Sequence, residues 1–500
     1  MREKKSVGIN LISGYVSILG NLVTGVLMVP LYLQHLSTDV YGSYILALSV
    51  SNILGLLEFG LSMVATNRLA NLHAQGQDGL CTSEFLKFNG SAILHACVTF
   101  CLSLLIAIVA SNLYPGHEND DLRNAFIILS LSVSLNIPLN CFGALLQSTK
   151  NSHALGTINL FSSLFAVVVV IVAFTARPCL TSIALASLSR STVSVVSLTV
   201  FSKIRFKRII DTSFLGAFSW YKQTLRECMP IFSGNAARIL SENGQSIMIG
   251  TYVSTGALAI LAITQKPFLL CSMILTPVGS AIYPSLIRLR STLDSNSYFI
   301  RLKSTVSLFS LLCVAIYSIV VSLNGQIITS WVGSERYAGG IISFSLGFVG
   351  LIISLHGFLI FLAASSGEYK STGIGDLSYS ILGLIFTVLF LKRFGIASQS
   401  YANVLSCLIG MAWLCPTILD RRLGNEGFAR KYYQVAIAEF VSLTTFLVLA
   451  IWIAPSGLFP EPSFISLMLR VIASVFLVAF YVYLRSLALR FGAFINRSFT

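Results

Sequence analysis

The chain has 500 residues, 55% of them hydrophobic and only 10% charged, with a formal net charge of +14. A soluble domain carries about 25% charged residues, so this composition excludes a soluble enzyme or a soluble nucleic-acid-binding domain. The ten cysteines are scattered, mostly in apolar runs such as those holding Cys97, Cys101, Cys313 and Cys407, and none forms a C-x-x-C pair. That excludes a disulfide framework or a cysteine metal site and leaves them as small buried hydrophobes.

Runs of roughly 20 apolar residues recur along the whole length, each long enough to cross a bilayer about 30 Å thick. The pattern lacks the ten-residue alternation of a membrane β-barrel. It predicts an all-α polytopic membrane protein with helices at 8–34, 41–66, 87–113, 123–147, 153–176, 179–202, 229–253, 256–283, 303–323, 340–364, 373–391, 396–419, 432–454 and 464–484. The first of these follows "MREKK" and is too long for a signal peptide, with no A-x-A cleavage site behind it, so it is read as a retained span. The sixth contains Arg190 and the eleventh is short.

Lys and Arg mark the cytoplasmic side of membrane proteins. With both termini cytoplasmic, 24 of the 33 lysines and arginines fall on cytoplasmic segments, six on exterior edges and three inside spans. The basic surplus is therefore a topology device and a contact for membrane lipid surfaces, and no nucleic-acid partner is expected. The longest aqueous segment, 203–228, carries "KIRFKR" and then an amphipathic stretch suited to the inner membrane surface. The expected organisation is an N-lobe of six spans (1–202), this linker (203–228), a C-lobe of six spans (229–420), and two further spans with a tail (421–500).

No G-x-x-x-x-G-K-[ST], H-E-x-x-H or G-x-S-x-G motif occurs, so neither an enzyme nor a cofactor is expected. His95 and His356 lie in spans, where a lone histidine is usually a packing residue. The informative groups are the charges inside the spans: Arg190, Arg238, Glu242 and Lys266, with Glu58 and Glu439 in the cytoplasmic halves of theirs. At 1.5 Å per residue Arg238 is roughly 13 Å from the cytoplasmic edge. A mid-membrane cation facing lipid costs about 2.5–3.5 kcal/mol, so such groups must face partners, water or a ligand.

In the seventh span Asn235, Arg238, Glu242 and Gln245 follow helical spacing as one polar stripe. Asn10, Gly14, Ser17, Asn21 and Thr24 do the same in the first, and Ser51, Gly55, Glu58 and Ser62 in the second. Lys266 directly precedes Pro267, where a kink is expected. Two readings stand side by side. The stripes line a basic cavity between the halves, with Arg238, Lys266, Asn235, Gln245 and Asn21 toward substrate and Glu58 and Glu242 for ion coupling or charge pairing. Alternatively, Arg238 and Glu242 form a permanent clip, and the small polar stripes are close helix packing.

The stretch 29–70, "VPLYLQHLSTDVYGSYILALSVSNILGLLEFGLSMVATNRLA", resembles the polysaccharide-exporter branch of the multidrug/oligosaccharidyl-lipid/polysaccharide flippase superfamily. The matching features are Pro30, "YGSY", Glu58 before "FGL", and Arg68; "IYPSLIRLR" at 282–290 resembles the family's close of its eighth span. The resemblance implies two MATE-like six-helix lobes plus two helices. It implies a Wzx-type flippase of the bacterial inner membrane that moves undecaprenyl-pyrophosphate-linked oligosaccharide, for O-antigen or a similar lipopolysaccharide or surface glycan, by alternating access. Glycan polymerase and chain-length machinery are the implied protein partners. A MATE-like drug antiporter and a peptidoglycan-precursor flippase are the neighbouring readings. A membrane glycan polymerase is the reading from a different class, and it would need a larger exterior loop than any here.

Overall fold

The computed structural model describes residues 20, 22–113, 118–149, 151–206, 218–292, 295–365, 370–423, 428–453 and 464–498. They are helical almost throughout, and among them 11 helices are long and apolar enough to cross a membrane. The protein is an all-α multi-pass membrane protein, as composition demanded. Helix is the backbone solution in hydrocarbon because it satisfies every N–H and C=O internally.

In chain order the helices are α1 (Met28–His35), α2 (Thr38–Leu54), α3 (Leu61–Ala74), α4 (Asp78–Leu113), α5 (Glu118–Ser148), α6 (Ser152–Ala176), α7 (Leu180–Phe206), α8 (Phe218–Tyr252), α9 (Thr255–Thr292), α10 (Ser295–Val332), α11 (Gly340–Ser365), α12 (Lys370–Phe394), α13 (Ser398–Ser406), α14 (Cys415–Leu423), α15 (Phe428–Ile453) and α16 (Phe464–Ser498). The two least regular expectations, the sixth and eleventh spans, both form as α7 and α12. π-helical turns precede α1 at Val23–Leu27 and join α13 to α14 at Cys407–Leu414. The seventh span is the C-terminal part of α8, which continues unbroken into the amphipathic stretch on its N-terminal side.

The helices fall into two compact units, Met1–Ala259 with Ser380–Ile396, and Ile260–Tyr379 with Ala397–Thr500. In the first, Leu61, Leu69, Phe85, Phe88, Ile137 and Leu146 form a buried core against Cys228 of α8. Two of its helix starts carry side-chain caps. Ser37 Oγ accepts from the Val40 N–H to open α2. Asp121 accepts from the Leu180 N–H (2.9 Å) and the Thr181 N–H (3.2 Å) to open α7. In the second unit Phe309 stacks on Phe358 with ring centres 4.4 Å apart. The buried Tyr317 hydroxyl joins Ser272 (2.8 Å) to Ser354 (2.9 Å). Asn324 Nδ2 donates to the Thr264 carbonyl and to Ser343 Oγ. Such hydrogen bonds join helices where lipid offers no hydrophobic drive to do so.

Gly42, the glycine of "YGSY", has a steric reason. A Cβ there would run into the carbonyl of Thr255 at the start of α9, so α2 reaches that backbone only without a side chain. Gly42→Val is expected to remove most detergent-stable protein, with Gly42→Ala costing about 1–3 kcal/mol. Gly79→Ala, where a Cβ meets nothing within 4 Å, should melt no lower than the parent. Size-exclusion profiles and thermal melts of the solubilised chain check all three.

Candidate functional site

Helix α8 packs against α2 and α3 and carries the charged stripe. Arg238 Nη1 lies 3.7 Å from Glu242 Oε1, and the two side chains are 54% and 51% exposed. That separation is an ion pair without a hydrogen bond, and among the described residues the Arg238 guanidinium has no second ionic partner. Gln245 is buried, its Nε2 donating to Ser241 Oγ at 3.2 Å. Between them, Asn243 accepts from Asn52 Nδ2 of α2 at 3.4 Å. Asn235 lies on the same helix, but its side chain is outside the described set, as is Asn21 altogether. Lys266 belongs to the second unit, on the part of α9 that begins at Ile260. It is partly buried, and among the described residues no hydrogen bond or ion pair reaches its ammonium.

The stripe of the second span faces α5. Ser51 Oγ lies 3.3 Å from Ser130 Oγ, a Cβ on Gly55 would touch Val133, and Asn140 Nδ2 donates to Glu58 Oε2 at 2.9 Å. Ser51 and Gly55 are therefore helix-packing residues, and Glu58 is held against α5 by an amide. The "EFGL" stretch that carries the family resemblance is also a break in the span. The α2 helix tightens into a 3₁₀ turn over Gly55–Glu58, Phe59 has φ 54° and Gly60 φ 76°, and α3 starts at Leu61. Phe59 is the single non-glycine residue with positive φ among the described residues. Such strain persists only where the surroundings fix it. Here Phe59 is held between His95 (ring centres 5.5 Å) and Phe232 of α8 (5.0 Å), and the His95 ring also faces the Leu57 backbone.

The N-terminal arm of α8 is clasped by α3 and α4 of the first unit. Arg68 of α3 pairs with Glu227 at 2.7 Å and lies 3.6 Å from Glu84 of α4. It also donates to Thr224 Oγ1 at 3.3 Å, and its guanidinium sits over the Phe88 and Trp220 rings. Trp220 Nε1 donates to Glu84 Oε2 at 3.0 Å. Tyr221 Oη meets His95 Nε2 at 2.6 Å. Burial, with a smaller push from Cys228, raises the Tyr221 phenol above its ordinary value, so it keeps its proton at neutral pH. Trp220 and Cys228 of this stretch thus pack within the protein.

Three further arrangements were not visible in the sequence. Arg190 Nη1 donates to Thr24 Oγ1 at 3.1 Å, across from the π-helical turn of the first span, and lies near Tyr44. Asn140 is the partner of Glu58. In the second unit His356 Nε2 lies 3.2 Å from Asp376 Oδ1. The one sequence signal for this last pair is the aspartate inside the eleventh span.

Membrane-spanning helices, polar groups held inside them and the fold together define a multi-pass membrane protein of the MATE and MurJ transporter fold. The chain belongs to the polysaccharide biosynthesis protein family, whose model matches residues 9–290. No curated protein matches it. Among solved structures it is similar to the lipid II flippase MurJ in an inward closed conformation, with TM-score 0.68 at 13% identity over 96% of this chain and 98% of that one. It is also similar to an inward-facing multidrug resistance MATE transporter (TM-score 0.61, 13% identity, 84% and 99% covered). The eukaryotic MATE transporter AtDTX14 is comparable (TM-score 0.61, 14% identity, 88% and 99% covered). At these identities the likeness concerns the fold.

Proposed function

We propose that the protein is a Wzx-type flippase that carries undecaprenyl-pyrophosphate-linked oligosaccharide repeat units from the cytoplasmic to the outer leaflet of the bacterial inner membrane, by alternating access. The observation that carries the reading is the loosely held Arg238 guanidinium, half-exposed on a helix that also carries Asn235, Glu242 and Gln245. A pyrophosphate and a polar glycan cannot cross hydrocarbon unaided. Guanidinium and ammonium groups bind phosphate strongly where water is scarce. Arg238 and Lys266 are assigned to the pyrophosphate or acidic sugars, with Asn235, Gln245 and Asn21 as polar lining and Glu242 as the group that holds Arg238 between substrates. Glu58, which accepts from the neutral Asn140 amide, is assigned to ion coupling or charge tuning at the break in the second span. Membership of the polysaccharide biosynthesis family supports a glycan-linked cargo.

A second reading, a flippase for the peptidoglycan lipid precursor, is favoured by the likeness to MurJ. A deletion strain separates the two. The first reading expects viable cells that lack surface glycan and accumulate single lipid-linked repeat units on the cytoplasmic leaflet. Lethality with arrested wall synthesis supports the second. Single units transferred outside but not extended would point to a polymerase and overturn both.

A further inference from the structure

The second unit holds a titratable cluster that the proposed substrate contacts do not use. His356 of α11 is 2% exposed and its Nε2 lies 3.2 Å from Asp376 Oδ1 of α12. Both residues lie in stretches apolar enough to span a membrane. The helices are built to converge there. A Cβ on Gly375 would meet Cys415 Cβ at 2.9 Å and His356 Cε1 at 3.1 Å. Opposite it, a Cβ on Gly410 would meet the Tyr379 N–H at 2.8 Å and the Gly375 carbonyl at 3.0 Å. Gly410 sits in the π-helical turn Cys407–Leu414, a widened winding that recurs at functional sites in helical proteins.

We propose that the His356–Asp376 pair is a proton-binding site through which proton movement across the membrane is coupled to transport. With one proton the pair is neutral overall, whether written as imidazolium and carboxylate or as imidazole and carboxylic acid. Release of that proton leaves a net charge of −1 among apolar helices, which is costly there. Loading and release therefore alternate between a neutral state and a charged one that must find water or a counter-charge. That is the differential interaction a conformational switch requires. The other titratable groups facing the pair are Cys415 and Tyr433, with Cys407 and Tyr432 beside Tyr433. On the neighbouring α10, Cys313 lies near Tyr432 and Tyr317 bonds Ser354. Among the described residues none of these carries a formal charge at neutral pH, so the imidazole and carboxylate answer to each other.

The coupling half of this inference rests on the transport reading; the proton site does not. Trp413, 60% exposed, lies in the same π-helical turn as Gly410 and serves as a built-in reporter of that turn. The full chain in lipid nanodiscs, with Trp220, Trp331 and Trp452 changed to Phe, should show a sigmoidal change in Trp413 emission between about pH 5 and pH 9. His356→Gln and Asp376→Asn should each flatten it. A response to sodium at fixed pH that replaces the response to protons overturns the proposal. Histidine-selective NMR of the chain with its other histidines changed to Asn follows the imidazole directly and does not depend on either variant. A ring held in one protonation state throughout overturns the site. A titrating pair in a strain whose surface glycan does not need this chain keeps the proton site and removes the flippase reading. A dependent glycan with a silent pair does the reverse.

Discussion

Cells relying on a chain with Arg238→Gln and Lys266→Gln together are expected to lose nearly all surface glycan while holding normal amounts of the protein in their membranes. Each cation, in the proposed role, makes charge-assisted contacts to phosphate worth about 1.5–3 kcal/mol. Arg238 is half-exposed, which places it at the lower end. Together the two losses correspond to roughly 100-fold or more in the population of loaded carrier. Insertion should survive, because removing mid-span charge makes a helix easier to insert. The single variants should show intermediate glycan. Arg238→Lys should retain more than Arg238→Gln, since a point charge still attracts phosphate without the guanidinium fork. Glu242→Gln is the informative companion. If Glu242 restrains Arg238 between substrates, its loss leaves binding intact and alters release. If the two form a permanent clip, Glu242→Gln should destabilise the protein about as much as Arg238→Gln, and thermal melts would show it. Full surface glycan in the double variant would remove both residues from the substrate path.

The helical architecture was legible in the sequence because hydrocarbon admits so few backbone solutions. Apolar length alone placed spans such as the fourth and ninth, which appear as α5 and α10. Local steric detail was also partly legible, since Gly42 and Gly60 sit in the stretches that carry the family resemblance and both prove necessary to backbone geometry. Side-chain partners across helices were not legible. Helical spacing groups Ser51, Gly55 and Glu58 on one face, but it does not say whether that face meets water or α5. The partner positions, Ser130, Val133 and Asn140, are some eighty residues away. His356 was unreadable for the same reason. A lone histidine has no meaning until a carboxylate is placed 3.2 Å from it. The amphipathic arm before the seventh span read as a surface helix because its basic and apolar faces are compatible equally with lipid and with protein. Only the position of Arg68 relative to Glu227 and Trp220 separates those outcomes.

That clasp carries the second large expectation. Arg68→Ala should lower the stability of the solubilised protein by about 2 kcal/mol and free the arm Phe218–Cys228 from α3 and α4. The guanidinium meets two carboxylates, Glu227 at 2.7 Å and Glu84 at 3.6 Å, and a hydroxyl on Thr224. Its removal leaves Glu84, 19% exposed, with its remaining cation Lys87 at 2.8 Å and the Trp220 N–H. A buried charged hydrogen bond is worth about 1.5–3 kcal/mol. Glu227 is 43% exposed, so solvent screening brings its share toward the few tenths to 1 kcal/mol of a surface pair. Arg68→Lys keeps the charge but not the planar contact over Phe88 and Trp220, and should recover about half the loss. A cycle of Arg68→Ala with Glu227→Ala should return a coupling of about 1 kcal/mol. Trp220 reports the structural consequence directly: with its ring lifted off Phe88, 5.1 Å away in the intact protein, its emission should shift to the red. An Arg68→Ala chain with unchanged melting and unchanged Trp220 emission would mean that the buried core around Cys228 and Phe88 holds the arm by apolar packing alone. The same variant tests whether the arm matters to transport, because the arm and the seventh span are one helix. Loosening it at Trp220 should then disturb the setting of Phe232 against Phe59 at the break in the second span.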